Sequence, residues 1–545
     1  MRERMLCGTA QARPEGERRL WHVTRGIVAA LFGVSMLAIV LLLLFAFPVV
    51  EFDRKRQEYG TLLPMAAFGV AAGLCLAILV SRWPRRHVCG AIRRAALPAA
   101  CAALFFVQVF ICYHGYFLMG WDSISTMKSA YAIAGGDELI DNYYLSLYPN
   151  NALLTLLFGG LMRLFRLAAH GARLDRCVFF LIVVQCALNS ATAYLLTRIA
   201  QRWFCSARAA AGTFLVYAGF TGLSPWLMVP YSDSMGLIVP TLILYIYQRW
   251  REGENSRAFW PVLGVLTWIG YSIKPQCCIV SVAIVLYEGV RMILTRRAAA
   301  WLCGALCVLL LTVVGAGPVT DAILDASPIE MREGRDIGGL LHYVMLGLNP
   351  ESHGVYRDED MYVSARAENP QARREAQLAV IRERLSAMSA EDWVEHLTKK
   401  ALSNFADSPV IWSFGGAICW QEIEDKDGFF SPLIKRLIAV GEVNVGFSGL
   451  FVYFECFWLA ILVFSLLAPV LLWKLCRQGN QADLLSVMML SVFGLLLFQM
   501  IFEAGNRYFM VYTPFMVLLA AAALRELTKR IGRRRERGNK ECSIA

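Results

Sequence analysis

Residues 96–123 read ALPAACAALFFVQVFICYHGYFLMGWDS, and this stretch decides the fold. From Ala96 to Met119 there is no Asp, Glu, Lys or Arg, and the run ends on Gly120-Trp121-Asp122. A helix of that length crosses the roughly 30 Å hydrocarbon core of a bilayer. Similar blocks recur at roughly 27–49, 61–81, 176–197, 209–230, 234–249, 258–274, 276–294, 299–318, 449–474, 483–503 and 508–526. The sequence therefore predicts an all-α polytopic membrane protein of about 12 transmembrane helices. Outer interfacial helices and one extracytoplasmic, mostly helical loop domain complete the expected architecture.

Composition agrees. The 545 residues are 57% apolar and 17% charged, with a mean hydropathy of +0.50, where a soluble chain carries about 25% charged residues. The net charge of +11 does not point to nucleic acid, because the excess sits beside apolar spans and no aromatic-interleaved basic module accompanies it. Arg2, Arg4, Arg13, Arg18, Arg19 and Arg25 open the chain; Arg525, Lys529, Arg530, Arg533, Arg534, Arg535, Arg537 and Lys540 close it. Of the 16 cysteines most fall inside apolar spans and read as small hydrophobes. There is no CxxC pair, so neither a zinc nor a redox centre is expected. The first span, of about 22 residues, lacks a cleavage site and reads as a retained anchor.

Twelve spans put both termini on one side, and the loops agree. Arg82, Arg85, Arg86, Arg93 and Arg94; Arg198, Arg202 and Arg208; Arg249, Arg251 and Arg257; Arg291, Arg296 and Arg297; and Lys474 and Arg477 all fall in alternate loops, expected in the cytoplasm. Counting 151–168 as a span would invert every later loop. With Arg163 and Arg166 it reads instead as a helix in the outer interface, its arginines snorkelling, and 122–135 as a companion. The division expected is a basic N-terminus plus two added spans (1–95), a core (96–318) with a first outer loop (120–175), an outer domain (319–448), C-terminal spans (449–528) and a basic cytoplasmic tail (529–545). The outer domain holds 21 of the chain's 42 acidic residues against 13 Lys plus Arg. A helix is expected over 371–387, and Ser389 with Asp392 reads as a capping box opening another.

Under this topology polar residues from distant connections meet at the outer face. Asp122 opens the first outer loop, Tyr231-Ser232-Asp233-Ser234 joins two spans, Lys274-Pro275 ends another, and Glu503-Ala504-Gly505-Asn506-Arg507-Tyr508 links the last two. An ionised carboxylate at the bilayer surface is costly to keep idle, which suggests function. Each residue also has a plain structural role open to it. Asp122 and Asp233 would cap helices, Lys274 would snorkel, and Glu503 with Arg507 would form an i,i+4 pair. Tyr143, Tyr144 and Tyr148 offer stacking surface, or an interfacial aromatic belt. Asn150 and Asn151 add amide groups suited to a sugar, and His342-Tyr343, Trp412 and Trp420 are further candidates from the outer domain.

These residues resemble the GT-C superfamily of multispanning glycosyltransferases, which includes protein mannosyltransferases and aminoarabinose transferases and the bacterial glycosyltransferase family 39. The pattern is an acid early in the first outer loop (Asp122), Tyr148-Pro149-Asn150-Asn151, a Tyr-Ser-Asp-Ser turn with Asp233, Lys274-Pro275, and Glu503 with Arg507-Tyr508. The 342–349 stretch through to Trp412 resembles the outer loop of bacterial relatives, and the likeness spans 96–528. It departs at the paired acids usual in the first loop: Asp122 is followed by Ser123, with Asp137, Glu138 and Asp141 nearby.

The resemblance implies sugar transfer from a polyprenyl-phosphate donor to a cell-envelope glycan, lipid or protein, with inversion, in the plasma membrane and on its extracytoplasmic face. Asp122 and Asp233 are then expected to be catalytic, Lys274 and Arg507 to bind the donor phosphate, and Tyr143, Tyr148, Asn150, Asn151, Tyr231, Glu503, Tyr508 and His342 to bind substrate. One carboxylate per loop makes a weak metal site, so no obligatory metal or other cofactor is expected. A flippase or transporter would place acids or helix breaks near the mid-plane with internal symmetry. A lipid-linked glycan polymerase or ligase, as the resemblance implies, would favour an Arg- and His-centred loop. These two classes are the alternatives.

Overall fold

The computed structural model describes residues 15–46, 62–82, 90–254, 258–332, 336–337, 339–412, 419–438, 449–472 and 479–542. The charges at Arg2, Arg4, Arg13, Arg85, Arg86, Arg257, Lys474 and Arg477 lie outside the described residues.

Helices α1 (Glu15–Leu41), α2 (Leu63–Arg82) and α3 (Gly90–Gly115) lead into a two-residue strand, β1 (Leu118–Met119). The segment after β1 holds α4 (Asp122–Ile133), α5 (Asn142–Leu147) and α6 (Ala152–Ala168). Then come α7 (Leu174–Phe204), α8 (Ala207–Gly219), α9 (Ser232–Gly236), α10 (Ile238–Arg251), α11 (Phe259–Ile273), α12 (Ile279–Leu294) and α13 (Ala298–Val314). The hydrophilic segment 319–448 contains α14 (Thr320–Asp325), α15 (Gly339–Gly347), α16 (Asp358–Ala365), α17 (Pro370–Ala387), α18 (Ala390–Phe405), strand β2 (Cys419–Gln421) and α19 (Phe430–Ile438). The closing helices are α20 (Gly449–Leu472), α21 (Gly479–Ile501) and α22 (Thr513–Cys542).

Among the described residues ten helices are long and apolar enough to cross a membrane. Nine coincide with expected spans; the tenth is Pro149–Ala168, the segment expected to lie in the interface. The expected spans 209–230, 234–249 and 258–274 appear as the shorter helices α8, α10 and α11. Packing centres on the last span, 83% of whose most apolar window is buried against 17% for the windows around α2 and α13. Phe515, Met516, Val517, Leu518 and Leu519 have no exposed surface, whereas Phe68, Leu309 and Leu310 of the outlying helices present apolar faces to their surroundings, as lipid-facing helices do. Arg166 does not snorkel: it donates to Ala172 O (2.8 Å) and Gly135 O (3.0 Å) and lies over the Tyr131 ring.

The expected 209–230 span is interrupted for a backbone reason. After α8 the chain turns through two 3-10 segments, Thr221–Leu223 and Pro225–Met228, around Gly222 and Pro225. Carbonyls freed from a helix inside a membrane protein must find donors. Gln185 Nε2 reaches Trp226 O, Leu227 O and Val229 O at 3.0–3.2 Å. Gln108 Nε2 reaches Gly222 O at 2.7 Å and is braced by Asn189 Oδ1 at 2.9 Å, while Ser190 donates to Gln108 Oε1. All these side chains are buried. The interruption delivers Tyr231 and Asp233 to the start of α9.

Arg25, Arg251 and Arg291 gather at the opposite end of α21, about 30 Å from Glu503 at 1.5 Å per residue. There Arg25 pairs with Asp483 (2.5 Å), Arg251 pairs with Asp483 and with Glu288, and Tyr287 donates to Asp483 (2.7 Å). Arg25 and Asp483 are buried, so these groups tie α1, α10, α12 and α21 together rather than serving only as solvated flanking charges. In the hydrophilic segment the capping box forms: Ser389 accepts from Asp392 N, and Asp392 accepts from Ser389 N. β2 pairs antiparallel with β1, Leu118 opposite Gln421, fixing the hydrophilic segment to the end of α3.

Candidate active site

The site begins where α3 ends. Trp121 has φ 58° and ψ −149°, a region close to one that only glycine occupies without strain. This backbone turn makes Asp122 the first residue of α4. The carboxylate caps nothing: the helix has no side-chain cap, and Asp122 Oδ2 instead accepts from Tyr231 Oη at 3.1 Å. Asp122 is half-buried and Trp121 is exposed, so the carboxylate remains reachable.

Asp233 is also no cap. It is 1% exposed, and its Oδ1 is paired with Lys274 Nζ. Lys274 follows α11 in an extended conformation before Pro275, which disfavours helical backbone in the residue preceding it. The ammonium is 5% exposed and lies 4.8 Å from the Tyr508 ring centre, so it does not snorkel. Asp233 Oδ2 has Arg507 Nη1 at 4.0 Å and no hydrogen-bond partner among the described residues. Arg507 pairs there rather than within 4 Å of Glu503; its guanidinium stands over Tyr508 (5.4 Å), Tyr231 (5.7 Å) and Trp121 (5.9 Å). It remains 25% exposed. Two cations therefore share one buried carboxylate, with Asp122 on the far side of Tyr231. Glu503 is half-buried beside them and acts electrostatically on Arg507 and Tyr508.

The tyrosines divide by helix phase. Tyr144 on α5 and Tyr148 just past its end lie one turn apart, with ring centres 5.3 Å from each other. Tyr144 Oη accepts from Asn151 Nδ2 at 2.6 Å and feels the Asp122 charge. Burial, with Asp122 adding to it, pushes the Tyr148 hydroxyl up to about 12. Tyr143 points elsewhere, exposed beneath the Arg332 guanidinium. Asn150 is exposed and donates weakly to Asn151 Oδ1 (3.4 Å).

His342 is not brought to this cluster. It is wholly buried with Nδ1 2.8 Å from Ser364 Oγ, and burial holds its pKa down to about 4. Its neighbour Tyr343 faces the cluster instead, within electrostatic reach of Glu503, Tyr148, Asp122 and Arg507. Trp412 packs on Phe117 and Trp226 behind the site, and Trp420 lies over Lys128. Sequence reasoning gave Tyr144 and Tyr343 no separate role and missed Trp121 and also Tyr356, whose hydroxyl hydrogen-bonds that of Tyr148. Among the described residues no three His, Cys, Asp or Glu side chains are placed to hold a metal ion.

A family model described as "Conserved hypothetical integral membrane protein" matches residues 20–527. Among solved structures the chain is similar to ArnT from Cupriavidus metallidurans bound to undecaprenyl phosphate, at 13% identity and a TM-score of 0.30, over 80% of this chain and 78% of that one. No curated protein matches.

Proposed function

The chain belongs to that family of integral membrane proteins, and from its outer cluster we propose that it is a glycosyltransferase using a polyprenyl-phosphate-linked sugar. The observation carrying this reading is the arrangement of Lys274 and Arg507 around one buried carboxylate, a tyrosine away from the reachable Asp122. Sugar transfer from a lipid phosphate requires fixed positive charge at the leaving phosphate and a base at the acceptor hydroxyl, and this arrangement provides both. Arg507 and Lys274 hold the phosphate. Asp233 positions them, so its role is that of a counter-ion and not of a base. Asp122, oriented by Tyr231, takes the acceptor proton, and displacement from the face opposite the phosphate inverts the sugar. Tyr144, Tyr148 and Asn151 form the sugar-facing wall. The face is extracytoplasmic and both termini are cytoplasmic.

A membrane assay with radiolabelled polyprenyl-phosphate sugars tests the reading. Absence of transfer by the wild-type chain refutes the reading; Asp122→Asn is expected to lower transfer by about 10²–10⁴-fold, the range of a general base, and wild-type-like transfer by that variant removes Asp122 as the base. The side is tested by impermeant maleimide. Cys419, in the outer domain, is expected to react from outside and Cys205, exposed among the arginine loops, only after permeabilisation; the reverse order inverts the topology.

A further inference from the structure

Arg507 sits on a connection that is held largely from outside itself. Between the end of α21 and the 3-10 turn that opens at Asn506, the chain runs Phe502-Glu503-Ala504-Gly505. Ala504 N donates to Gly354 O at 2.7 Å, and Gly505 N donates to Asn404 Oδ1 at 2.9 Å. Asn506 Nδ2 donates to Ser408 O at 3.2 Å. Gly347, at the end of α15, lies so close to Ile501 O and Phe502 O that a Cβ there would strike both. Ile501, Phe502, Ala504, Gly505 and Asn506 are thus each met by the hydrophilic segment, which leaves the side chains of Glu503 and Arg507 to the cluster.

Asn404 is the centre of this grip. It lies in the last turn of α18 with no exposed surface, and its Oδ1 also accepts from Gln499 Nε2 at 3.3 Å. Gln499 Nε2 reaches on to Gly505 O at 3.2 Å, so the N–H and the C=O of Gly505 are both bonded to buried amides. These bonds fix the Asn404 amide, because the atom facing an N–H must be its oxygen. Asn404 Nδ2 then has no partner among the described residues. A buried donor left unsatisfied is rare in folded proteins, and here it marks an amide kept for its acceptor.

The grip is itself anchored to a span. Ser408 N donates to Glu455 on α20, a carboxylate with no exposed surface, and Trp458 Nε1 of the same helix donates to Phe405 O at 2.9 Å. An ionisable group inside a membrane span calls for a role, and the transfer chemistry does not use this one. On the other side, Asn506 Oδ1 accepts from Arg507 N at 2.8 Å. One side-chain amide therefore joins the backbone of Arg507 to Ser408, and through Ser408 to Glu455.

We propose that Asn404 and Asn506 are positioning residues that set where the Arg507 guanidinium stands, with Glu455 as their anchor. Arg507 keeps 25% of its surface exposed, so its reach toward a phosphate is decided by where its backbone is fixed. The hydrophilic segment thereby takes part in lipid-phosphate binding through Arg507 rather than by touching the lipid. That consequence rests on the glycosyltransferase reading; the grip on the connection does not.

The test uses the full chain in lipid nanodiscs, reading hydrogen exchange of the 501–509 amides beside binding of undecaprenyl phosphate. Asn404→Leu, similar in size, removes the accepting oxygen. It is expected to speed exchange at Gly505 by about fivefold or more, the value of one hydrogen bond, with α21 and α22 unchanged. Asn404→Asp keeps that oxygen and is expected to keep the protection. Affinity for undecaprenyl phosphate is expected to fall about fivefold in Asn404→Leu, yet no further in Asn404→Leu with Arg507→Met than in Arg507→Met alone. A residue that merely stabilised the fold would add its own loss to that of Arg507. Should Asn404→Leu unfold the chain, Asn506→Ala, at a half-buried position, carries the same comparison at the Arg507 amide. Unchanged exchange, or losses that add, overturn the proposal. If the wild-type chain does not bind undecaprenyl phosphate, the donor reading is lost and the exchange result alone decides the grip.

Discussion

Asp233→Asn separates two views of the cluster. If only net charge mattered, removing a carboxylate beside two cations would strengthen anion binding; a charge at the 4.0 Å separation from Arg507 is worth about 4 kcal/mol at an effective dielectric of 20. The packing argues the opposite. Lys274 is 5% exposed and its counter-ion is Asp233. Removing one partner of a buried pair costs about 3–5 kcal/mol, because an uncompensated charge is left behind. A buried ammonium without its carboxylate escapes that cost by losing its proton or swinging out. Either response removes one phosphate-binding cation, so affinity for polyprenyl phosphate is expected to fall at least about tenfold. The loss should be larger at pH 8 than at pH 6, since acid restores the Lys274 charge. Binding is measured in nanodiscs across that range, with the reactivity of buried Cys277 reporting that the fold persists. Adding Lys274→Met should return stability toward wild type without restoring phosphate binding. Binding by Asp233→Asn equal to or tighter than wild type at every pH, with Cys277 still protected, refutes the reasoning.

Two further perturbations probe parts the cluster depends on. Trp121→Gly relieves a backbone conformation costing on the order of 1–3 kcal/mol and removes the ring facing Arg507; thermal unfolding should occur no lower than in wild type while transfer drops about fivefold, the value of a cation–π contact near 1 kcal/mol. Lys400, on α18, is wholly buried and its pKa is lowered to about 7 from 10.5, chiefly by burial. The unfolded chain therefore holds the extra proton between pH 7 and 10.5, and stability should rise with pH across that window by up to about 5 kcal/mol at 1.36 kcal/mol per unit. Lys400→Met should flatten that rise in thermal unfolding measured from pH 6 to 10, and an unchanged slope counts against the assignment.

What was legible in the sequence was set by length and sign. Membrane spans announce themselves because backbone in lipid must bond to itself over a fixed thickness, and nine expected spans match helices of the required length. Asp122, Asp233, Lys274 and Arg507 could be expected together because each sits at a span end of the same parity. What was not legible depends on donors contributed by other helices. Phe220, Leu223, Trp226, Leu227 and Met228 are as apolar as any helical run, yet the chain there is 3-10 and extended. Its carbonyls bond to Gln108, Gln185 and, less closely, Asn189, so three buried amides inside other spans were the available signal.

Helix phase hid the rest. Tyr143 and Tyr144 are adjacent, as are His342 and Tyr343, and residue type alone favours neither member of a pair. In the first pair the choice is made by Asp141, whose side chain accepts from Tyr144 N at 2.9 Å and fixes the rotation of a six-residue helix. In the second it is made by Ser364, which holds His342 inward and leaves Tyr343 toward Glu503. Both decisions rest on single hydrogen bonds at about 2.8–2.9 Å, each worth about 1 kcal/mol. A site assembled from short helices at the bilayer edge is therefore specified by its capping and bracing residues as much as by its charged ones. Asp141 and Ser364 consequently belong to the functional description even though neither touches the proposed substrate.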